Sequence, residues 1–449
     1  MATNLQYAGE YKLKELLVHC SSGNVLNLTK ATQSIDIYED MFSTSLSGSI
    51  TILDVDNIAE NGPVIGQEFM TLRITTPTLD NLEIDIMFTI YKVSVRESLS
   101  QDTQMLSLSF TSPELMKNKQ VRVSKSYTDS IHNIIENILR DTRYIGTDRD
   151  IYIERTLGTR KVVCPNLHPF DFISNLINEA TTEKDSAPHF FFYENLKGIQ
   201  VKSLGAIFSE DAVGNFNTGD ISKSSKDVGV TIDPEKDFNR ALEFQINSNN
   251  DMLLNTMAGL MGSSTTQYNI YNKTFNTLEY DYFEDFERFP RIDENPVFND
   301  IGENSVGSRT FLHPTNTNGT FDSSHNGTAF TYQYAQPKIA ESIPFRRAKL
   351  MELNNGVNIT MKINGNTTIA AGQIINLTVP VSGRVHDKEN DEYYSGRYLI
   401  TKLRHSFYQP DKKHEIILTA SKDSLPKEHL SSRVGKPNTR IGTTTTLNY

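Results

Sequence analysis

"KLRHSFYQPDKKHEIILTASKDSL" runs from Lys402 to Leu425, and "KVSVRESLSQDTQMLSLSFTSPEL" from Lys92 to Leu115; the two have one length and stand 310 positions apart. In this register Phe88 and Ile90 fall on Tyr398 and Ile400, and Lys92 falls on Lys402. Leu106, Leu108 and Phe110 fall on Ile416, Leu418 and Ala420, and Leu115 falls on Leu425. Only four of 28 aligned positions are identical, so shared letters do not carry the likeness. The phase of the alternation does. Ile90 gives way to Val93 and Val95, and Ile400 gives way to Leu403 and His405. Side chains of a strand alternate faces, so one extra residue flips all that follow; a β-bulge at the lysine of both copies is the prediction. Upstream of each lysine a Gly-Gln pair, Gly66-Gln67 and Gly372-Gln373, opens a strand, with four more residues intervening in the second copy. The chain reads as one small β unit written twice.

Around the first copy, "GSITILDVD", "EFMTLRITTP" and "LEIDIMFTIYKVSV" alternate apolar and polar residues. Met70, Leu72 and Ile74 share one face of a half-buried strand, and the turn signal Glu60–Pro63 separates two of these runs. Several short strands at close spacing predict a small antiparallel barrel or sandwich. After Ser126 the period changes. Ile131, Ile134, Ile135, Ile138 and Leu139 recur at helical intervals, with Ser126 or Thr128 as cap. A second helix is predicted in "HPFDFISNLINEATTE", with Pro169 in its first turn and Ile173, Leu176, Ile177 and Ala180 on its buried stripe. A third is predicted over 342–355, ended by Gly356.

The expected fold class is mainly β with α+β parts: two homologous small antiparallel β-barrels, a mixed α/β domain and an inserted peripheral segment. The first barrel is placed at residues 1–115, the mixed domain at 116–205 and a linker at 206–238. The second barrel takes 239–262 and 345–427, the peripheral segment with its long loop takes 263–344, and a tail takes 428–449. The length of 449 residues calls for two to four domains. An irregular stretch as long as 299–331 is expected to drape over a partner.

Composition narrows the function. The formal charge of −11 and a pI near 5.5, without a Lys/Arg run, argue against sequence-reading nucleic-acid binding. Cys20 and Cys164 are too few for a disulfide scaffold and read as buried thiols of a protein made in reducing cytoplasm. The opening "MATNLQYAGEYKLKELLVHC" carries charges where a signal peptide needs an apolar core, and no run is long enough to insert in a membrane.

No catalytic constellation emerges. Glu284, Asp285 and Glu287 offer carboxylates for glycoside hydrolysis, but adjacent carboxylates point apart in most backbones. The stretch from His386 to Tyr394 has oxygen ligands without the spacing or mid-loop glycine of an EF-hand, and reads as a solvated hairpin tip. Cys164 lacks a CxxC partner, and no HExxH, GxSxG, P-loop or dinucleotide fingerprint is present. His405 falls on the apolar phase of its strand, as a core histidine does. The expectation is no enzyme, no catalytic residue, no metal and no cofactor.

Several stretches, in order, resemble the baseplate hub proteins of contractile-tailed bacteriophages of the T-even type, a tail hub family shared with type VI secretion spike proteins. "IYEDMFSTSLSGSITILDVDNIAENGPVIGQEFMTLRI" looks like the first tube domain of that family, and "CPNLHPFDFISNLINEA" with "HFFFYENLKGIQVKSL" like its second domain. "YNIYNKTFNTLEYDYFEDF" resembles the segment inserted into its last domain. "YYSGRYLITKLRHSF" and "HEIILTASKDSL" resemble the end of its second tube domain. The resemblance implies a virion component of the tail baseplate, a homotrimer presenting six similar domains around one axis. Its implied partners are a central spike or tail lysozyme protein, the tail tube protein and baseplate wedge proteins, with DNA passing only in transit through an acidic channel. Its alternatives are a tail-associated peptidoglycan hydrolase, a carbohydrate-binding receptor protein, and the hub portion of a type VI secretion or tailocin spike.

Overall fold

The computed structural model describes residues 7–55, 64–77, 83–98, 103–184, 187–218, 238–248, 251–269, 273–298, 306–315, 339–381 and 390–427. The turn at 60–63 and the tail 428–449 lie outside them, as do most of 299–331 and the stretch 386–389. Among the described residues no helix is long and apolar enough to cross a membrane.

Strands dominate, and the repeat is real at the level of hydrogen bonds. In the first unit Ile90 pairs with Phe110 and Lys92 with Ser109, leaving Tyr91 as the extra residue. In the second Ile400 pairs with Ala420 and Lys402 with Thr419, leaving Thr401 as the extra residue. The bulges stand at the positions where the apolar phase slips. The likeness extends to strands that the sequence left unmatched. Thr32–Asp40 and Ala241–Ser248 open the two units, and each carries a bulge at its start, between Thr32 and Ser34 and between Ala241 and Glu243. Each is followed in its ladder by an equivalent series. Ser47–Asp54, Gln104–Thr111, Ile84–Ser98 and Phe69–Thr75 in the first unit correspond to Val357–Asn364, Lys413–Lys422, Gly396–Tyr408 and Ile374–Thr378 in the second. Gly66 and Gly372, ahead of the last strand of each series, both take positive φ, +93° and +84°, a conformation that favours glycine.

Each unit has its own core. Ile35, Ile50, Leu72, Phe88, Leu108 and Phe110 fill the first, with the Phe88 and Phe110 rings 4.7 Å apart. Gly48 is required there, because a Cβ at that position would lie 2.2 Å from the Phe110 ring. Met361, Ile363, Ile375, Tyr398, Ile416 and Leu418 fill the second. The two units are arms of one antiparallel sheet, joined where Thr32–Asp40 pairs with Gly396–Tyr408.

The mixed α/β part packs helices Ile131–Arg140 and Pro169–Glu179 on short strands around Ile134, Ile138, Ile173 and Phe192. Burying each such side chain contributes about 1.5–3 kcal/mol. The N-cap position of the first helix is Ser130, not Ser126 or Thr128, because Val123–Asp129 is held as a strand against Arg160–Leu167; the Ser130 side chain makes no capping hydrogen bond. The stretch that reads as a linker is partly structured. Leu204–Phe208 is helical, and Asn215–Asn217 adds a parallel strand to Ile374–Thr378. A three-residue strand with one apolar side chain, Phe216, leaves no period to read.

The insertion separates the first two strands of the second unit. It contributes helix Met252–Ala258, a three-stranded sheet of Gly262–Asn269, Thr274–Asp281 and Thr310–Thr315, and helix Ile339–Asn355. Asp293 seats it on the strand end, its N–H donating to Ser424 Oγ at 2.7 Å. Burial, opposed by Lys422, pushes the Asp293 carboxyl up to about 6. A folded-state pKa above the ordinary 3.8 means that stability is lost as pH rises from about 4 through 6. Asp293→Asn is therefore expected to be more stable than the natural protein at pH 7 by about 1 kcal/mol, after allowing for solvent screening. The difference should vanish near pH 4. Thermal melts at both pH values check this; a variant less stable at pH 7 refutes it.

Candidate assembly interface

The seam between the units is a seven-pair antiparallel ladder from Lys402 opposite Asp40 to Tyr408 opposite Ser34. Its polar face is charge-matched. Lys402 Nζ lies 3.3 Å from Asp40, and Arg404 Nε donates to Asp36 at 3.0 Å while Ser406 Oγ donates to the same carboxylate at 2.6 Å. The Arg404 guanidinium also lies over the Tyr38 ring, and the hydrogen bond to Asp36 raises its pKa above the ordinary arginine value.

The opposite face is buried and holds His405, Phe407, Ile35, Ile37 and Glu39. His405 Nδ1 lies 3.0 Å from His414 Nε2, and Phe407 stacks on the His414 ring at 4.0 Å. Burial, followed by the neighbouring His405, pushes His414 well below the ordinary histidine range, so it stays neutral near pH 7. The Glu39 carboxylate accepts from Leu196 N–H at 3.0 Å and Ala371 N–H at 2.6 Å, with His405 Nε2 3.7 Å away. One side chain thereby ties the first unit, the α/β part and the second unit together.

Among the described residues, each half of this seam has a repeat-equivalent with one side open. Strand Ala241–Ser248, the counterpart of Thr32–Asp40, ends the sheet with one neighbour, Val357–Asn364. Among the described residues, the only strand paired with 92–98, the counterpart of 402–408, is Gln104–Thr111; Phe69–Thr75 reaches no further than Thr89. This stretch is exposed along almost its whole length and carries a second register slip, between Val93 and Val95, absent from the second unit. Irregularities of this kind collect where a strand lacks a second neighbour. Long unpaired edges are templates for another strand.

The residues weighed for chemistry lie elsewhere. Glu284 and Glu287 are exposed, whereas Asp285 accepts from Asp281 N–H at 3.1 Å and lies 3.5 Å from Arg288. Asp391 accepts from Tyr393 and Tyr394 N–H, forming a turn in the described part of the stretch ending at Tyr394. Cys20 and Cys164 are buried free thiols. His405 is the buried seam residue described above. The strand pair Thr32–Asp40 and Ala241–Ser248 escaped sequence reading; matching the alternations Ile35/Ile37 and Phe244/Ile246 is the signal that finds it.

No protein-family model matches the chain. Its sequence is 24% identical over 294 residues to a probable baseplate hub protein of Vibrio phage KVP40, a match spanning 62% of this chain and 62% of that protein. A tail protein from Neisseria meningitidis MC58 superposes with a TM-score of 0.52 at 11% identity, over 93% of this chain and 98% of that one. The 43 kDa tail protein of prophage MuSo2 from Shewanella oneidensis does so with a TM-score of 0.52 at 8% identity, over 91% and 99%. The chain is thus similar in sequence to a phage baseplate hub protein and has the mainly β fold of these tail proteins.

Proposed function

We propose that this chain is a structural subunit of a contractile phage tail baseplate, acting as a homotrimeric hub between a threefold central spike and a sixfold tail tube. The observation that carries the proposal is the seam. Inside one chain, the opening strand of one unit covers the free edge of the other. Among the described residues, the equivalent strand, Ala241–Ser248, and the equivalent edge, residues 92–98, each pair with a strand on one side only. Joining them head to tail between copies repeats the same contact, and a ring closes when the rotation per copy is a third of a turn. Three chains then present six similar units. A sixfold partner meets the contact unit six times, and a threefold partner meets three copies of everything else.

The proposed division of labour follows the sequence domains: two tube-wall units, with the α/β part and the insertion facing baseplate wedge proteins. Binding through matched symmetry is the work, without catalysis. The sheet face turned away from both cores carries Ser49, Thr51, Ser107 and Ser109, and the paired charges Lys402–Asp40 and Arg404–Asp36. In the proposed ring this face lines the channel, where hydroxyls and neutralised charges give a DNA phosphate in transit little to bind.

Mass measurement tests the ring. The purified protein is expected to hold three 50.7 kDa chains per particle, whether alone or bound to its spike, with pseudo-sixfold class averages in electron microscopy. A particle of one or two chains at every concentration, with and without spike, sinks the proposal.

A further inference from the structure

Helix Met252–Ala258 packs Met252 against the second core but turns most of its apolar side chains to solvent. Seven residues are too few for a stable isolated helix. It is nevertheless capped at both ends: Asp251 Oδ1 accepts from Leu254 N–H at 3.0 Å, and Gly259 closes it at a φ of +89°. Its sequence, MLLNTMA, leaves Leu253, Leu254 and Met257 exposed at 71%, 59% and 60%. Elsewhere, a groove of about 1050 Å³ runs between the first unit and the α/β part. Its sheet wall carries Phe69 and Met87, 47% and 53% exposed, beside Thr89, and Lys117 and Arg149 stand on the opposite wall.

The repeat relates the helix to the groove. Phe69, Met87 and Thr89 correspond to Ile374, Arg397 and Leu399 of the second unit, by the matched ladders. There the face is covered. Ile374 and Leu399 are buried in a cluster with Met41, Phe191, Tyr193, Ile207 and Phe208. Part of that cover is the segment leaving the seam strand Thr32–Asp40: Met41 N–H donates to Thr401 O at 3.0 Å, and the Phe42 ring meets Phe191. In the second unit the segment leaving the equivalent strand, Ala241–Ser248, leads into helix Met252–Ala258.

We infer that helix Met252–Ala258 of one copy docks in the groove of the next, its Leu254 and Met257 covering Phe69 and Met87. This rests on the ring proposed above and assigns its second contact. Strand pairing is then the backbone half of the interface and the helix its apolar half, as Met41 and Phe42 are within one chain.

The test uses two full-length chains, Met87→Cys and Leu254→Cys, mixed and mildly oxidised; the natural cysteines are buried. A disulfide-linked pair containing one of each chain, seen only in the mixture, is expected. Leu254→Asp/Met257→Asp, at exposed positions that leave the fold intact by circular dichroism, is expected to weaken ring assembly at least tenfold in dilution experiments. A three-chain particle that gives no mixed disulfide, and that the double variant forms as readily as the natural chain, overturns the docking and leaves the ring standing. A protein that stays a single chain throughout overturns both.

Discussion

Glu39→Ala is expected to lower the unfolding free energy by about 3 kcal/mol, the effect of orphaning one buried and one half-buried amide that now donate to a buried carboxylate. Leu196 N–H and Ala371 N–H lose their acceptor at once, in a site where Glu39 is fully buried. Glu39→Gln keeps an acceptor oxygen and is expected to recover roughly half of the loss. Urea unfolding of the three proteins decides it. A loss under about 1 kcal/mol for the alanine variant means that the junction relaxes and that the seam does not depend on this residue. The position equivalent to Glu39 in the second unit is Ser248, so the proposed contact between copies lacks this anchor. On the proposal of a ring, the contact between copies is therefore expected to be weaker than the seam within the chain.

The second large effect concerns Lys349. Its Nζ lies 2.9 Å from Glu352 and 2.5 Å from Asp423; Arg291 binds Glu352 at 2.7 Å, and Tyr282 OH donates to Glu352 at 2.9 Å. Two cations and two carboxylates balance in a buried cluster that locks the insertion and helix Ile339–Asn355 onto the end of strand Lys413–Lys422. Lys349→Met leaves one carboxylate in excess and is expected to cost about 3–5 kcal/mol at pH 7. Burial pushes the Asp423 carboxyl up, but Lys349 and Arg291 outweigh it, so its pKa is lowered overall. In the natural protein this contribution is present above the ordinary 3.8 and is lost as pH falls through the lowered folded value. Without Lys349 the carboxyl takes up a proton more readily, so the deficit of the variant should shrink on acidification toward pH 4. Lys349→Met/Asp423→Asn removes the excess charge while keeping an acceptor for Ile292 N–H, and is expected to regain most of the stability. A deficit that is the same at pH 4 and pH 7, unrelieved in the double variant, assigns the loss to packing instead.

Much of this architecture is written locally. The bulges at Tyr91 and Thr401 show as a slip in alternation, because side-chain direction in a strand depends on counting residues alone. The helix from Ile131 shows in its isoleucine spacing, while its true cap was hidden by a strand that a distant partner stabilises. His405 reads as a core histidine; its meeting with Glu39 depends on pairing residues some 370 positions apart, for which no local pattern exists.

The sequence by itself determined that a β unit is written twice, where each copy turns its bulge, and which faces are apolar, since these depend on neighbours along the chain. Only the tertiary structure decided that the copies share one sheet, that Glu39 holds their junction, and that, among the described residues, the same edge has a second strand beside it in one copy and not in the other. Those are matters of which distant backbone groups find each other, and a chain's periodicity carries no record of its partners in space.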